Sequence, residues 1–158
     1  AVSDSLPPGR LAGIDYGRRR IGIAICDAER LIASPLEIRE TVGDRRADTS
    51  FFRNLVEREE IAGFVVGLPV HTDGRTSEMS AEVEQFADWL GETTGRPIAF
   101  QDERYTSREA AGLLRPARLS RGRKQARHDA VAAQVILSSW LERQAAGLPD
   151  SLGNRLDD

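Results

Sequence analysis

Hydrophobic and polar positions change rhythm several times along this chain, and each change marks a candidate element. LAGIDYG (11–17) and RIGIAICD (20–27) are two apolar runs joined by a Gly-Arg turn, the signature of a β-hairpin. In the second run Ile21, Ile23 and Ile25 alternate with Gly22, Ala24 and Cys26. One face therefore packs bulk while the other lets a neighbour approach closely. A third run, LIASPLEI, carries Pro35, which suits an edge strand. Phe51, Phe52, Leu55 and Val56 then recur at helical spacing, predicting a helix from about Asp44 to Glu60. GFVVGLP is short, wholly apolar and ended by Pro69, the pattern of a strand covered on both faces.

VHTDGRTS reads as a loop, followed by a helix through Val83, Phe86, Ala87 and Leu90 that Gly95 closes. RPIAFQDE is another short strand. Thr106 and Glu109 form a capping box that opens a helix to about Leu114. Residues 115–126 are polar, basic and broken by Pro116 and Gly122, so the expectation there is a mobile loop. The last helix, from about His128 to Gln144, carries a stripe of Ala133, Ile136, Leu137, Trp140 and Leu141. Three hairpin-linked strands followed by alternating strands and helices make an α/β fold. Its five-stranded mixed sheet has the first three strands antiparallel, the last two parallel, and helices on both faces. The expected organisation is one domain over residues 11–145, with flexible tails at 1–10 and 146–158.

Composition narrows the class. A chain of 158 residues supports one real core and not two, and 40% hydrophobic with 30% charged residues excludes disorder throughout. No apolar run approaches the ~18 residues of a membrane span. The segment AVSDSLPPGR lacks the basic start and apolar stretch of a secretory signal. Cys26 is the one cysteine, which allows no internal disulfide and fits a reducing cytoplasm. The net charge of −3 hides an asymmetry. Arg104, Arg108, Arg115, Arg118, Arg121, Arg123, Lys124 and Arg127 face only Glu109 within residues 104–127, a local +7 that leaves −10 for the rest.

Carboxylates at three places stand out. Asp15 lies inside an apolar strand, where an ionised side chain costs several kcal/mol unless it is paired or ligates a metal. Asp102 and Glu103 end a parallel strand, the edge at which ligands collect in open α/β sheets. Asp129 begins the last helix, on the stripe that faces the sheet. Bland readings exist for two of them: Asp129 as a helix cap, and Glu103 as a surface partner of Arg104 or Arg108. Right-handed crossovers put the first strand beside GFVVG and IAFQDE next to that, so Asp15, Glu103 and Asp129 can converge. Three close carboxylates stay ionised only around cations, and Mg²⁺ or Mn²⁺, as a two-metal site, are the natural occupants. A basic segment between two such ligands would hold a polyanion over them.

GIDYGRRRIGIAICD, VVGLPVHTDGRTS, DERYTSREA and HDAVAAQVILSSWL resemble the successive motifs of the YqgF/RuvX family. That group is ribonuclease H-like, and is described as Holliday junction resolvases and as nucleases maturing the 5′ end of pre-16S ribosomal RNA. The resemblance runs from Leu11 to Leu141. It implies that Asp15, Glu103 and Asp129 are metal-binding catalytic carboxylates, and it places a family loop on Gly67, Leu68, Pro69, Asp73 and Gly74. His128 stands where the family usually has an aliphatic residue, and Thr76-Ser77 where a second glycine is expected.

The expected activity is divalent-metal-dependent phosphodiester hydrolysis, most simply in 5′-end maturation of pre-16S ribosomal RNA. The partners are then structured RNA, a ribosomal precursor particle or branched DNA, met by a monomer or homodimer in the cytoplasm. Arg18, Arg19, Arg104, Arg108, Arg121, Arg123, Lys124 and Arg127 are the expected nucleic-acid contacts. Tyr16 and Tyr105 are candidates for stacking on a nucleotide, whereas Trp89 and Trp140 read as core or interface and not as stacking platforms. Alternatives are a resolvase cutting four-way DNA as a dimer, and a ribosome-assembly factor that binds without cutting. The first hairpin also resembles the phosphate loop of actin-like ATPases and sugar kinases, which need two such domains.

Overall fold

Within residues 6–41, 43–69, 78–103 and 121–147, which the computed structural model describes, the hairpin at the start of the chain forms as its alternation dictates. β1 (Arg10–Tyr16) folds back antiparallel on β2 (Arg20–Cys26), pairing Asp15 with Gly22 and Ala12 with Ile25. β3 (Ala33–Glu40) pairs antiparallel with β2 and lies at the sheet edge. Its register shifts between Ile23 and Ala24, where Glu37 and then Pro35 are the partners, so the proline sits at a bulge on an outer strand.

Asp44 caps α1 (Arg45–Glu59) by accepting the amides of Arg46 and Ala47, and Glu60 ends it in the left-handed region at φ 53°. β4 (Ile61–Leu68) is buried along its length except for half-buried Ala62, and it joins β1 in parallel. α2 (Glu78–Thr94) ends at Gly95, whose φ of 71° and hydrogen bond to the Gly91 carbonyl close the helix. β5 (Ile98–Asp102) adds in parallel to β4, and α3 (Arg121–Ala145) completes the described elements. The strand order is β3-β2-β1-β4-β5, antiparallel in its first part and parallel in its last.

Strand alternation divides the apolar residues between two layers. Ile14, Ile21, Ile23, Phe64 and Phe100 pack with Phe52, Leu55, Phe86 and Leu90 of α1 and α2. Leu11, Ala24, Cys26, Val65 and Ala99 pack with Ala133, Ile136, Leu137 and Trp140 of α3. The face of β2 expected to admit close approach is thus the one that receives α3.

Two sequence expectations need correction. The last helix begins at Arg121, not near His128, so residues 121–126 are helical rather than part of a loop. Arginine, lysine, glutamine and alanine are good helix formers, and one glycine costs only about 1 kcal/mol within a helix. The segment ahead of β1 is also anchored sooner than a tail ending at residue 10. Leu6 is buried in the α3 layer, Arg10 opens β1, and the Arg30 side chain donates to the Gly9 carbonyl. The capping box at Thr106, the helix to Leu114, the rest of the basic loop and the loop carrying Asp73 and Gly74 lie outside the described residues.

Candidate active site

The site is built at the carboxyl ends of β1, β4 and β5, on the face covered by α3. Leu11, Gly13 and Asp15 share that face of β1 by alternation. A Cβ placed on Gly13 would lie 2.7 Å from both the Ala133 carbonyl and the Leu137 Cβ. Helix backbone therefore runs almost against the strand two residues before Asp15. On β4 the same face carries Val65 and then Gly67, and on β5 Ala99 and then Gln101.

Register aligns these positions. Ile14 pairs with Val66 and Gly67 pairs with Gln101, so the next step beyond Ile14 sets Asp15 level with Gly67. Two strand spacings, about 10 Å, separate β1 from β5. The gap is bridged because β4 offers no side chain at Gly67. The Glu103 Oε1 atom lies 2.8 Å from the place a Cβ on Gly67 would occupy. Burial, then the charge of Asp15, then that of Asp102, push the Glu103 carboxyl up from 4.5 to about 7. Two of the expected carboxylates are therefore electrostatic neighbours, although 88 residues separate them in sequence. Asp102 is fully buried and alternates onto the opposite face of β5.

Gln101 was not anticipated from the sequence. It is wholly buried on the α3 face, and among the described residues neither amide atom finds a hydrogen-bond partner. An orphaned amide beside two repelling carboxylates suits a hydrated hard cation. The positive charge would offset the repulsion, and water around the ion would bond the amide. A glutamine in a strand otherwise made of core residues was the available signal. Gly67, at the end of an apolar run, was visible as part of a motif but not as the gap that Glu103 fills.

The third acid, Asp129, belongs to α3, one turn before Ala133; its side chain lies outside the described residues. Among the described residues no three His, Cys, Asp or Glu side chains form a metal-binding group. Arg121, Arg123, Lys124 and Arg127 share the start of α3, with side chains outside the described set, and Arg104, Tyr105 and Arg108 lie outside it altogether. Arg18 is engaged elsewhere. Its Nε donates to Glu82 of α2 at 3.0 and 3.1 Å, on the face away from α3. Arg19 is exposed in the hairpin turn, where its carbonyl accepts the Thr41 amide. Tyr16 lies against Phe86, with ring centroids 4.7 Å apart.

A family model described as RuvX, Holliday junction resolvase, matches residues 9–143. This chain belongs to the RuvX family. Its RuvX relatives include a Rhodopirellula baltica protein, 48% identical over 142 residues that span 89% of this chain and 82% of that one. A Picosynechococcus protein is 38% identical over 91% of this chain and its own full length. Both bear the provisional name pre-16S rRNA nuclease. Among solved structures, Thermus thermophilus RuvC matches with a TM-score of 0.55 at 13% identity, covering 89% of this chain and 98% of that one. The likeness extends to RuvC in complex with a Holliday junction substrate, at a TM-score of 0.53 and 14% identity. At such identities the match establishes a shared ribonuclease H-like fold, in agreement with the mixed sheet expected for RuvX.

Proposed function

We propose that this chain is a divalent-metal-dependent nuclease that hydrolyses phosphodiester bonds in structured RNA, trimming the 5′ end of pre-16S ribosomal RNA in the cytoplasm. The observation that carries the reading is Glu103 reaching over Gly67 to within the electrostatic range of Asp15 at one sheet edge. Membership of a nuclease family and the names of its relatives supply the substrate class.

Asp15 and Glu103 would hold Mg²⁺ or Mn²⁺, with Asp129 of α3 as the third ligand. A divalent cation bound there supplies activation of water and neutralisation of charge at the scissile phosphate. Gly67 keeps the space between the two carboxylates open. Gln101 presents an amide that can accept from one water and donate to another, orienting solvent at the floor of the site. Asp102, buried behind the strand end, adds negative potential that favours a cation. The cations of residues 104–127 would supply the charge that holds the phosphate backbone, with Arg19, exposed in the β1–β2 turn, as a further contact.

The test is side-by-side digestion of a ribosomal RNA precursor and a synthetic four-way DNA junction with Mg²⁺, Mn²⁺ or chelator. Metal-dependent shortening of the RNA 5′ end is expected, and Asp15→Asn should remove it while leaving RNA retention on a filter intact. An Asp15→Asn protein that cuts as fast as the parent overturns the assignment. Symmetric nicking of the junction with no RNA product would favour the resolvase reading, which the family description supports.

A further inference from the structure

Behind the carboxylate edge, on the α1/α2 face, lies a cleft of about 300 Å³. Tyr16, Phe86 and Trp89 form its aromatic side, while Arg18, Arg45 and Asp48 supply its polar groups. The Arg45 guanidinium lies over the Trp89 ring, 4.7 Å from its centroid, and Phe86 sits between Trp89 and Tyr16 at centroid distances of 5.7 and 4.7 Å. Two of the charges are locally balanced: Arg18 by Glu82 at 3.0 Å, and Asp48 by Arg39 at 3.3 Å. Arg45 forms no ion pair with any described carboxylate.

The cleft thus combines flat rings, a planar cation and a carboxylate acceptor with a local charge near +1. This is too weakly positive to grip a run of phosphates and too polar for a lipid chain. Its rings, planar cation and carboxylate suit a heterocycle that carries both hydrogen-bond donors and acceptors, and the volume has room for one. Tyr16 follows Asp15 directly on β1, so alternation sends the two side chains to opposite faces of the same strand end. A strand whose phosphate lies at Asp15 and Glu103 has only to round the sheet edge for a neighbouring base to enter.

We propose that this cleft receives one unpaired nucleobase of the substrate strand beside the bond to be cut, an assignment that rests on the nuclease reading above. The base stacks on the Arg45–Trp89 pair, with Asp48 and Arg18 reading its edge.

Binding can be measured apart from cleavage, in chelator, with a labelled single-stranded RNA octamer and the full chain. Arg45→Ala should weaken octamer binding about tenfold, within the range for losing one stacked base. Arg46→Ala removes the same charge from the neighbouring exposed position and should change affinity less than about twofold. Replacing one octamer nucleotide at a time by an abasic residue should cost the parent about tenfold at a single position, and Arg45→Ala nothing further there. In a Trp140→Phe chain the octamer should also quench the remaining fluorescence of Trp89. Equal losses for Arg45→Ala and Arg46→Ala, or an abasic scan without a preferred position, overturn the cleft as a base site. A parent that cuts its substrate with metal and shows either of those results loses only this assignment. One that shows the stacking signature and cuts nothing loses the nuclease reading and keeps the cleft.

Discussion

The carboxyl group of Glu103 holds its proton up to about pH 7 because it is buried and faces Asp15 and Asp102. In the unfolded chain it would titrate near its ordinary 4.5. A folded-state value raised in this way contributes stability that is fully present below about pH 4.5 and lost as pH rises through about 7. Thermal melts in chelator should therefore show the parent losing Tm relative to Glu103→Gln across that window, and Mn²⁺ at pH 8 should restore it. A constant difference between the two proteins would show that Glu103 titrates normally. Asp15→Asn removes one charge of the repelling pair. It should raise the chelator Tm by a few degrees while cutting the cleavage rate by roughly a hundredfold or more, as expected for a direct ligand. Gly67→Ala is the steric counterpart. Its Cβ would overlap the Ile136 Cδ1 and stand 2.8 Å from the Glu103 Oε1, so both side chains must move. A loss of about 1–3 kcal/mol in urea denaturation is expected, with slower cleavage.

At the scale of elements, α3 is held against the sheet by apolar packing and by strand residues small enough to let it approach. Gly13 faces helix backbone at Ala133, which cannot yield as a flexible side chain does. Gly13→Ala should therefore lift the helix locally at about 1–3 kcal/mol, seen as a Tm lower by roughly 3–10 °C. An unchanged Tm would mean that the helix does not bear on β1 there. The strands were readable in the sequence because alternation and short apolar runs record directly which faces are buried. Pro35 marked an outer strand for the same reason. The start of α3 was misread because Gly122 and a run of cations look like a breaker. Local signals of that kind are weak beside the propensity of the arginines, lysine and alanine around them.

For the whole molecule, the proposed nuclease would meet a polyanion through a segment of +7 set in a chain whose remainder carries −10. Each phosphate neutralised adds to the salt dependence of binding by about 0.7 in the log–log slope for a single strand. Replacing Arg121, Arg123, Lys124 and Arg127 together by alanine should flatten that slope by up to about 3, measured by RNA retention between low and physiological salt. A slope unchanged by the fourfold substitution would place the phosphate path elsewhere.

The sequence by itself determined the order and type of most elements, the mixed sheet, the layer each apolar residue joins and the identity of the candidate acids. Those properties are written in local periodicity and in the cost of placing a charge among apolar neighbours. Only the tertiary structure decided that Glu103 crosses β4 toward Asp15, that the Gln101 amide has no partner among the described residues, and that Trp89 borders a cleft with Arg45. The first two depend on strand register and on the absence of a side chain at Gly67, and the third on how α1 packs beside α2; these are relations between distant segments that no local pattern encodes.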